Sequence, residues 1–370
     1  MADVFDYLHW RADVPLDADP FNEVDNLILA ELSYTHFDGI VPSEGRGITL
    51  RKACEQFFAE HDRKELRISD NPVAKAPLLM DGMLTGRRLG DIVLTNYVNI
   101  IDTHKDVQMS AVTFRLNDGT AYVAFRGTDS TLVGWKEDFN MSYQPETEGQ
   151  RLAVEYLNEA GRRTRRPLRV GGHSKGGNFA VYASAFCKPK VRDRILQVYT
   201  NDGPGFRSEV MNSEEYRGIL PKVISIVPDT SIIGMLLTNK VEHHVVASSS
   251  SGLMQHDGLT WQVERNQFVP AELSDLGKFI REMQSDWLSK IDDKARESFV
   301  NTLFYIFEAT GFGTFGEMSA RKLRSAERMI STMTELPWDK QRELLKIFGE
   351  LLQSGGQIVF DSVSDIVKQG

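Results

Sequence analysis

Cysteine is scarce in this chain: among 370 residues only Cys54 and Cys187 occur. They lie far apart, so they provide neither a disulfide framework nor a CxxC-type metal site. The core must therefore come from apolar burial, and an apolar fraction of 41% beside 26% charged residues is typical of a globular protein. No metal and no organic cofactor is expected.

Long apolar runs and a positive net charge are also lacking. No run is long enough to span a bilayer, which takes about 18 residues or more. The opening segment, MADVFDYLHWRADVPLDADP, is acidic and lacks the apolar centre of a secretory signal. A net charge of −9 gives no reason to expect nucleic acid or an anionic membrane as a partner. We therefore expect a cytoplasmic protein with no integral membrane segment.

Changes in the hydrophobic pattern divide the chain into three predicted regions. Residues 1–107 are predicted to be mostly helical and to pack on the core, because apolar residues recur at helical spacing over 21–34, 49–61 and 76–99. Residues 269–370 return to this spacing, and we expect their helices to support a homo-oligomer. Those helices are predicted at residues 276–291, 295–309 and 319–352.

The middle region, residues 108–268, alternates strands with helices. Two β-rich runs, 110–116 and 122–126, are joined by Asn117-Asp118-Gly119, a strong hairpin signal. Further strands are predicted at residues 168–171, 195–200, 223–227 and 241–247, and helices at the capping-box pair Thr147 and Gln150 and over residues 175–187. This alternation predicts an α/β fold with a mainly parallel sheet flanked by helices.

The strongest chemical signal is Gly172-His173-Ser174-Lys175-Gly176, a G-x-S-x-G motif directly between a predicted strand and a predicted helix. A nucleophile on such a sharp turn leaves no room for side chains two residues before or after it. Gly172 and Gly176 therefore form the predicted nucleophile elbow, with Ser174 as the nucleophile. The following helix directs its first N–H groups toward a developing oxyanion.

A serine nucleophile needs a base, and the histidines after Ser174 are His243, His244 and His256. In a nucleophile-elbow fold the base follows the acid along the chain. His243 and His244 lie inside a predicted strand, whereas His256 lies in a loop beyond it. Because α/β sites are built from loops at the carboxyl ends of strands, we favour His256.

The acid that orients this base has two candidates at strand ends. Asp229 closes the strand at 223–227, and Asp202 lies in Asn201-Asp202-Gly203-Pro204 after the strand at 195–200. Asp202 also fits a turn aspartate, so we favour Asp229 and keep Asp202 as the alternative. Asp257 adjoins His256 in sequence and is less suited to orient it.

Oxyanion donors are predicted at a second strand end, where Phe125-Arg126-Gly127-Thr128 closes an apolar run. Gly127 permits close backbone approach, so Thr128 can offer its N–H and hydroxyl beside the N–H of Lys175. The Lys175 side chain either faces solvent or brings a cation to a carboxylate or phosphate of a substrate. The apolar run that includes Ile232 and Met235 is core or the lining of an acyl pocket.

These residues carry a resemblance. FRGTDS, GWKEDFN and GGHSKGGNFA resemble motifs of the class 3 lipases. The segments DYLHWRADVPLDADPFNEVDNLILAELSY and VPDTSIIGMLL extend the resemblance to a family of bacterial intracellular proteins distantly related to those lipases. The resemblance implies an α/β-hydrolase fold, to which the hydrophobic pattern adds helical N- and C-terminal regions. It implies Ser174, Asp229 and His256 as the catalytic triad and Thr128 with Lys175 as the oxyanion hole.

The resulting hypothesis is a serine hydrolase that cleaves a small-molecule ester or lipid-like acyl substrate. A thioesterase or a peptidase would use the same catalytic residues, because specificity depends on the shape of the pocket. A different class of function is also open, in which the fold is a scaffold for partner binding or dimerisation.

Overall fold

The computed structural model describes residues 2–275, apart from 70, 130, 131, 232, 235, 236 and 238, and residues 292–309, with scattered positions between 276 and 291 and between 310 and 342. The helices predicted over 276–291 and 319–352 lie largely outside the described residues. No helix in the described part of the chain is long and apolar enough to cross a membrane.

Within the described residues, eight strands form one sheet whose spatial order follows the chain. They are β1 (Ile48–Thr49), β2 (Val93–Asp102), β3 (Val107–Arg115), β4 (Ala121–Phe125), β5 (Leu168–His173), β6 (Ile195–Asn201), β7 (Val223–Pro228) and β8 (His243–Val246). Strands β1 to β4 pair antiparallel, and β4 to β8 pair parallel. A separate hairpin pairs β9 (Val263–Glu264) with β10 (Gln267–Phe268).

Helices cover both faces of this sheet. They are α1 (Val4–Arg11), α2 (Glu23–Leu32), α3 (Leu50–Glu60), α4 (Arg63–Ile68), α5 (Leu79–Met83), α6 (Leu132–Asn140), α7 (Glu148–Arg163), α8 (Lys175–Phe186), α9 (Pro189–Arg192), α10 (Ser208–Asn212), α11 (Glu214–Ile219) and α12 (Asp293–Glu308). One apolar core joins α1, α2, α3 and α5 to one face, and a second joins α7 and α8 to the other. The predicted α/β-hydrolase fold is confirmed.

Local signals explain where several helices begin. Thr147 accepts a hydrogen bond from the Gln150 N–H, and the Gln150 side chain accepts one from the Thr147 N–H, so the predicted capping box is present. Asn22 and Asp25 form the same reciprocal pair at the start of α2. These side chains satisfy backbone N–H groups of the first turn, which have no partner within the helix, and so fix the residue at which each helix begins.

The interval 76–99 departs from its helical prediction. Helix α5 ends at Met83, and β2 begins at Val93 and pairs along its length with β3. Gly86 packs so tightly on the backbone of Ala12 that an added Cβ would overlap it. The apolar content of this segment fits either one face of a helix or a half-buried strand. Antiparallel pairing with β3 favours the strand. The N-terminal region therefore contributes strands to the sheet as well as helices.

Candidate active site

Ser174 lies at the turn between β5 and α8 with φ 57° and ψ −132°. A non-glycine residue with positive φ is strained, and such strain clusters at functional sites. The Ser174 N–H donates to the Asn201 carbonyl of β6 at 2.9 Å, and its carbonyl accepts from the Gly177 N–H at 2.8 Å. Neighbouring backbone thus holds the serine in this strained turn.

The two elbow glycines are required by backbone contacts. A Cβ added to Gly172 would overlap the Gly176 backbone, and one added to Gly176 would overlap the Phe125 carbonyl at the end of β4. Each of these contacts is with main chain, which cannot move aside as a side chain can. The sequence therefore has glycine at both positions because β4, β5 and α8 meet there.

His256 ends a 3₁₀ turn that runs over Gly252–His256. Its Nδ1–H donates to Asp202 Oδ2 at 2.6 Å. Asp202 is completely buried, has φ 47°, and also accepts hydrogen bonds from the Ser231 hydroxyl and, at 3.1 Å, the Gly234 N–H. The carboxylate that orients His256 is thus Asp202, the alternative candidate from the sequence, and not Asp229.

Asp229, the favoured acid, has other partners. Its Oδ1 accepts from the Thr230 hydroxyl at 2.8 Å and from Gln255 Nε2 at 3.0 Å. Gln255 immediately precedes His256 and also accepts the Thr230 N–H through Oε1 at 2.8 Å. Asp229 therefore anchors the turn that carries His256 but does not contact the imidazole nitrogen that Asp202 holds.

Strand register explains this correction. His173 on β5 pairs with Asn201 on β6, so Ser174 and Asp202 are the next residues along two neighbouring strands. Asn201 in turn pairs with Ile226 on β7, which places Asp229 farther along its own strand and one strand farther from the serine. Both aspartates end strands, and only the register of the folded sheet distinguishes them.

The other histidines and Asp257 have separate roles. His243 on β8 shares a hydrogen bond of 2.8 Å with the Ser225 hydroxyl, and His244 on the same strand is exposed. Asp257 accepts the Leu259 N–H at 3.1 Å and caps the short 3₁₀ turn that follows. Of the candidate bases, His256 is the one that the structure pairs with a strand-end carboxylate.

The strand end predicted to supply an oxyanion donor lies against the elbow. A Cβ on Gly127 would stand 3.0 Å from Ser174 Cβ and would overlap the Tyr34 hydroxyl. The Thr128 hydroxyl donates to Asp138 Oδ2 of α6 at 2.6 Å. Asp138 was not singled out by the sequence reasoning, although it lies in the GWKEDFN segment that carried the resemblance. Its hydrogen bond fixes the Thr128 side chain, one residue after Gly127.

The pKa of Asp138 is raised to about 6, mainly by burial with a smaller contribution from Glu137, against the opposing effects of Lys175 and the Thr128 hydroxyl. Because this pKa lies above its unfolded value of 3.8, the folded state binds more protons between about pH 4 and 6. The contribution of Asp138 to stability is therefore greatest below pH 4 and is lost as the pH rises through 6.

We expect Asp138→Asn to become more stable relative to the wild type as the pH rises from 4 to 7, by about 2–3 kcal/mol. Urea unfolding of both proteins at a series of pH values measures this difference. Asp17→Asn, at an exposed aspartate, is the matched control and should show little change. A difference that is constant with pH would contradict the raised pKa.

The Lys175 side chain has neither of the predicted positions. It is completely buried, and its Nζ lies 3.0 Å from Glu137 Oε2. Glu137 also accepts the N–H groups of Gln108 at 3.0 Å and Gly149 at 2.9 Å, so its charge is well compensated. The ammonium therefore ties α8 to α6 inside the core and is unavailable to a substrate anion. The backbone N–H of Lys175, at the first position of α8, remains next to Ser174.

Lys175→Met is expected to destabilise the protein by about 3–5 kcal/mol, because it leaves a buried carboxylate without its cation. Lys136→Met is the control, since Lys136 pairs with Asp106 at the same N–O distance of 3.0 Å but is partly exposed. That variant should lose about 1 kcal/mol or less. Denaturant midpoints measure both values, and equal losses would contradict the importance of burial here.

Ile232 and Met235, predicted to be core or the lining of an acyl pocket, lie outside the described residues. Among the described residues, no group of three or more His, Cys, Asp or Glu side chains could hold a metal ion.

A solved lipase structure and a family model are similar to parts of this chain. The crystal structure of M37 lipase is similar with a TM-score of 0.36 and 14% identity, over 56% of this chain and 68% of that chain. The curated proteins searched give no match. The Mbeg1-like family model matches residues 83–305, which is more than half of the chain and includes the elbow, Asp202 and His256. The chain belongs to the Mbeg1-like family.

Proposed function

We propose that this chain is a serine hydrolase that cleaves a carboxylic ester or lipid-like acyl substrate through an acyl-serine intermediate. The observation that carries the proposal is the 2.6 Å hydrogen bond between His256 and the buried Asp202, beside a serine on a strained strand-to-helix turn. A buried carboxylate that orients an imidazole is the arrangement that activates a serine hydroxyl. Asp202 replaces Asp229 as the acid of the proposed triad.

The hydrogen bonds set the protonation of the base. Because the Asp202 carboxylate accepts from His256 Nδ1, the proton of the neutral imidazole resides on Nδ1 and Nε2 is free to accept one. In the proposed mechanism Nε2 takes the Ser174 proton as Oγ attacks the acyl carbon. The same proton then passes to the leaving alcohol, and water repeats the sequence to release the acid. Asp202 stays ionised and stabilises the imidazolium.

Two backbone groups are proposed to stabilise the oxyanion. The Lys175 N–H is the first of α8, where the helix dipole favours negative charge. The Thr128 N–H is the second, and the hydrogen bond from the Thr128 hydroxyl to Asp138 holds that residue in place. This hydroxyl is already donated to a carboxylate, which leaves the two N–H groups as the proposed donors.

The proposed substrate is neutral near the scissile bond. The side chain of Lys175, the cation nearest to Ser174 in sequence, is buried in its pair with Glu137. A carboxylate or phosphate close to the acyl carbon would therefore gain nothing from it. An ester or a thioester with an apolar acyl part therefore fits the site better than a substrate with an anion at that place. A cytoplasmic location is also part of the proposal.

Covalent labelling tests the proposed function directly. A fluorophosphonate probe should label the folded protein once, and peptide mapping by mass spectrometry should place the label on Ser174. In parallel, p-nitrophenyl esters of graded chain length should be turned over, with an optimum that gauges the acyl pocket. A protein that neither takes the label nor hydrolyses any of these esters would contradict the proposal and favour the scaffold interpretation.

A further inference from the structure

His173 precedes the nucleophile, and its ring is buried beside His256. Only 6% of the His173 side-chain surface is exposed to solvent. The centroids of the His173 and His256 imidazole rings lie 4.5 Å apart. Its Nε2 lies 2.7 Å from the main-chain carbonyl of His256, and its Nδ1 lies 2.9 Å from the Tyr34 hydroxyl. Both ring nitrogens of His173 are therefore engaged, one of them with the backbone of the proposed catalytic base.

These contacts determine the tautomer of His173. A carbonyl can only accept, so Nε2 must carry the proton that it donates to His256. Burial, followed by the influence of His256, lowers the pKa of His173 to about 3, so the ring is neutral and carries only this one proton. Nδ1 is consequently an acceptor, and the Tyr34 hydroxyl is its donor. The Tyr34 hydroxyl thus satisfies the Nδ1 lone pair that remains in the tautomer set by the His256 carbonyl.

Glu31 is consistent with this assignment. Its Oε1 lies 3.6 Å from His173 Nδ1 and has no hydrogen-bond partner among the described residues. Burial raises the pKa of Glu31 well above its ordinary value, and Asp257 raises it further. Burial thus disfavours a charged Glu31 carboxylate, which at that place would draw the ring proton toward Nδ1 and favour the other tautomer.

Holding the carbonyl of His256 matters because the residue lies in a turn rather than in a strand. The Gln255 side chain and the Trp261 indole, which donates to the Gln255 carbonyl at 2.9 Å, fix the preceding residue. Asp202 fixes the imidazole. The bond from His173 adds the contact to the main chain of His256 itself. A shift of about 1 Å in a catalytic group can cost about 100-fold in rate.

We propose that Tyr34 is a positioning residue that acts through His173 to fix the main chain of the catalytic base. This inference rests on the proposed function and extends it to the N-terminal region. Tyr34 follows α2, outside residues 83–305 that match the family model. Helix α2 is itself tied to the elbow strands, since the Asn26 amide donates to the Asn201 side chain at 2.8 Å and that of Asn201 donates to the Gly172 carbonyl at 3.0 Å.

A double-mutant comparison tests the route through His173. Tyr34→Phe removes the donor to Nδ1 and should lower kcat, and the rate constant of fluorophosphonate inactivation, about tenfold with KM changed less than about twofold. His173→Gln offers an amide donor near the position of Nε2 and has no ring nitrogen that needs the Tyr34 donor. In the His173→Gln background, Tyr34→Phe should therefore cost less than about twofold.

Two further variants separate positioning from packing. His173→Leu, which has no donor, should fall well below His173→Gln in kcat. Tyr156→Phe is the matched control, because Tyr156 is a buried tyrosine whose hydroxyl donates to the Asn96 carbonyl at 2.8 Å on the other side of the sheet. It should leave kcat unchanged while shifting the melting temperature about as much as Tyr34→Phe does.

The outcomes are distinguishable. A wild-type Ser174 that resists the fluorophosphonate would remove the proposed function and this inference with it. A labelled wild type in which Tyr34→Phe costs no more than Tyr156→Phe would overturn the inference alone. An equal loss from Tyr34→Phe in both backgrounds would also overturn it, because Tyr34 would then act by a route that does not pass through His173.

Discussion

Ser174→Ala is expected to lower kcat for a p-nitrophenyl ester by about 10⁵-fold or more and to abolish fluorophosphonate labelling. Removing the nucleophile of a triad costs about as much as removing the whole triad, because its members act as a unit. A residual acceleration over water of about 10³-fold would come from the oxyanion donors and substrate binding. Initial rates with active-site titration of the wild type measure the loss.

The backbone at Ser174 supplies an independent check on folding. With φ 57° the serine is in a region that non-glycine residues rarely adopt. Ser174→Ala keeps this strain and should leave the free energy of unfolding nearly unchanged. Ser174→Gly relieves it and should raise that free energy by about 1 kcal/mol, while being equally inactive. Turnover that survives in both well-folded variants would place the nucleophile elsewhere.

Local signals made the elbow and most of its sheet predictable. The glycine spacing around Ser174, the Asn-Asp-Gly hairpin and the capping box at Thr147 are each set by steric or hydrogen-bonding needs within a few residues. The periodicity of residues 76–99 predicts a helix where β2 forms, because the pairing of β2 with β3 outweighs local periodicity. Short-range rules therefore located the candidate nucleophile but not every strand around it.

Long-range contacts account for what the sequence could not predict. Lys175 immediately follows the nucleophile, and its burial follows from Glu137 on a separate helix. Tyr34 and His173 are 139 positions apart and meet because α2 packs on the elbow strands. Such pairings depend on how elements dock, which hydrophobic periodicity does not encode. A buried polar contact of this kind is recognisable once the fold is known.

The choice of acid gives the second large expected effect. Asp202→Asn should lower kcat by about 10⁴-fold, because an amide that donates to His256 Nδ1 forces the imidazole proton onto Nε2, where it blocks acceptance of the serine proton. Asp229→Asn should cost less than about tenfold, since its amide oxygen can still accept from Gln255 and Thr230. Fluorophosphonate inactivation rates should rank the two variants in the same order.

This pair of variants is closely matched, because each replaces one strand-end aspartate with its isosteric amide. They differ in what the carboxylate contacts: Asp202 accepts from the imidazole at 2.6 Å, and Asp229 accepts from Gln255 in the same turn. A larger loss in Asp229→Asn would mean that His256 exchanges Asp202 for Asp229 during turnover. Equal losses of kcat would mean that holding the turn around His256 matters as much as setting the His256 tautomer. The Tyr34 and His173 variants, which also act on this turn, would then lose kcat as well.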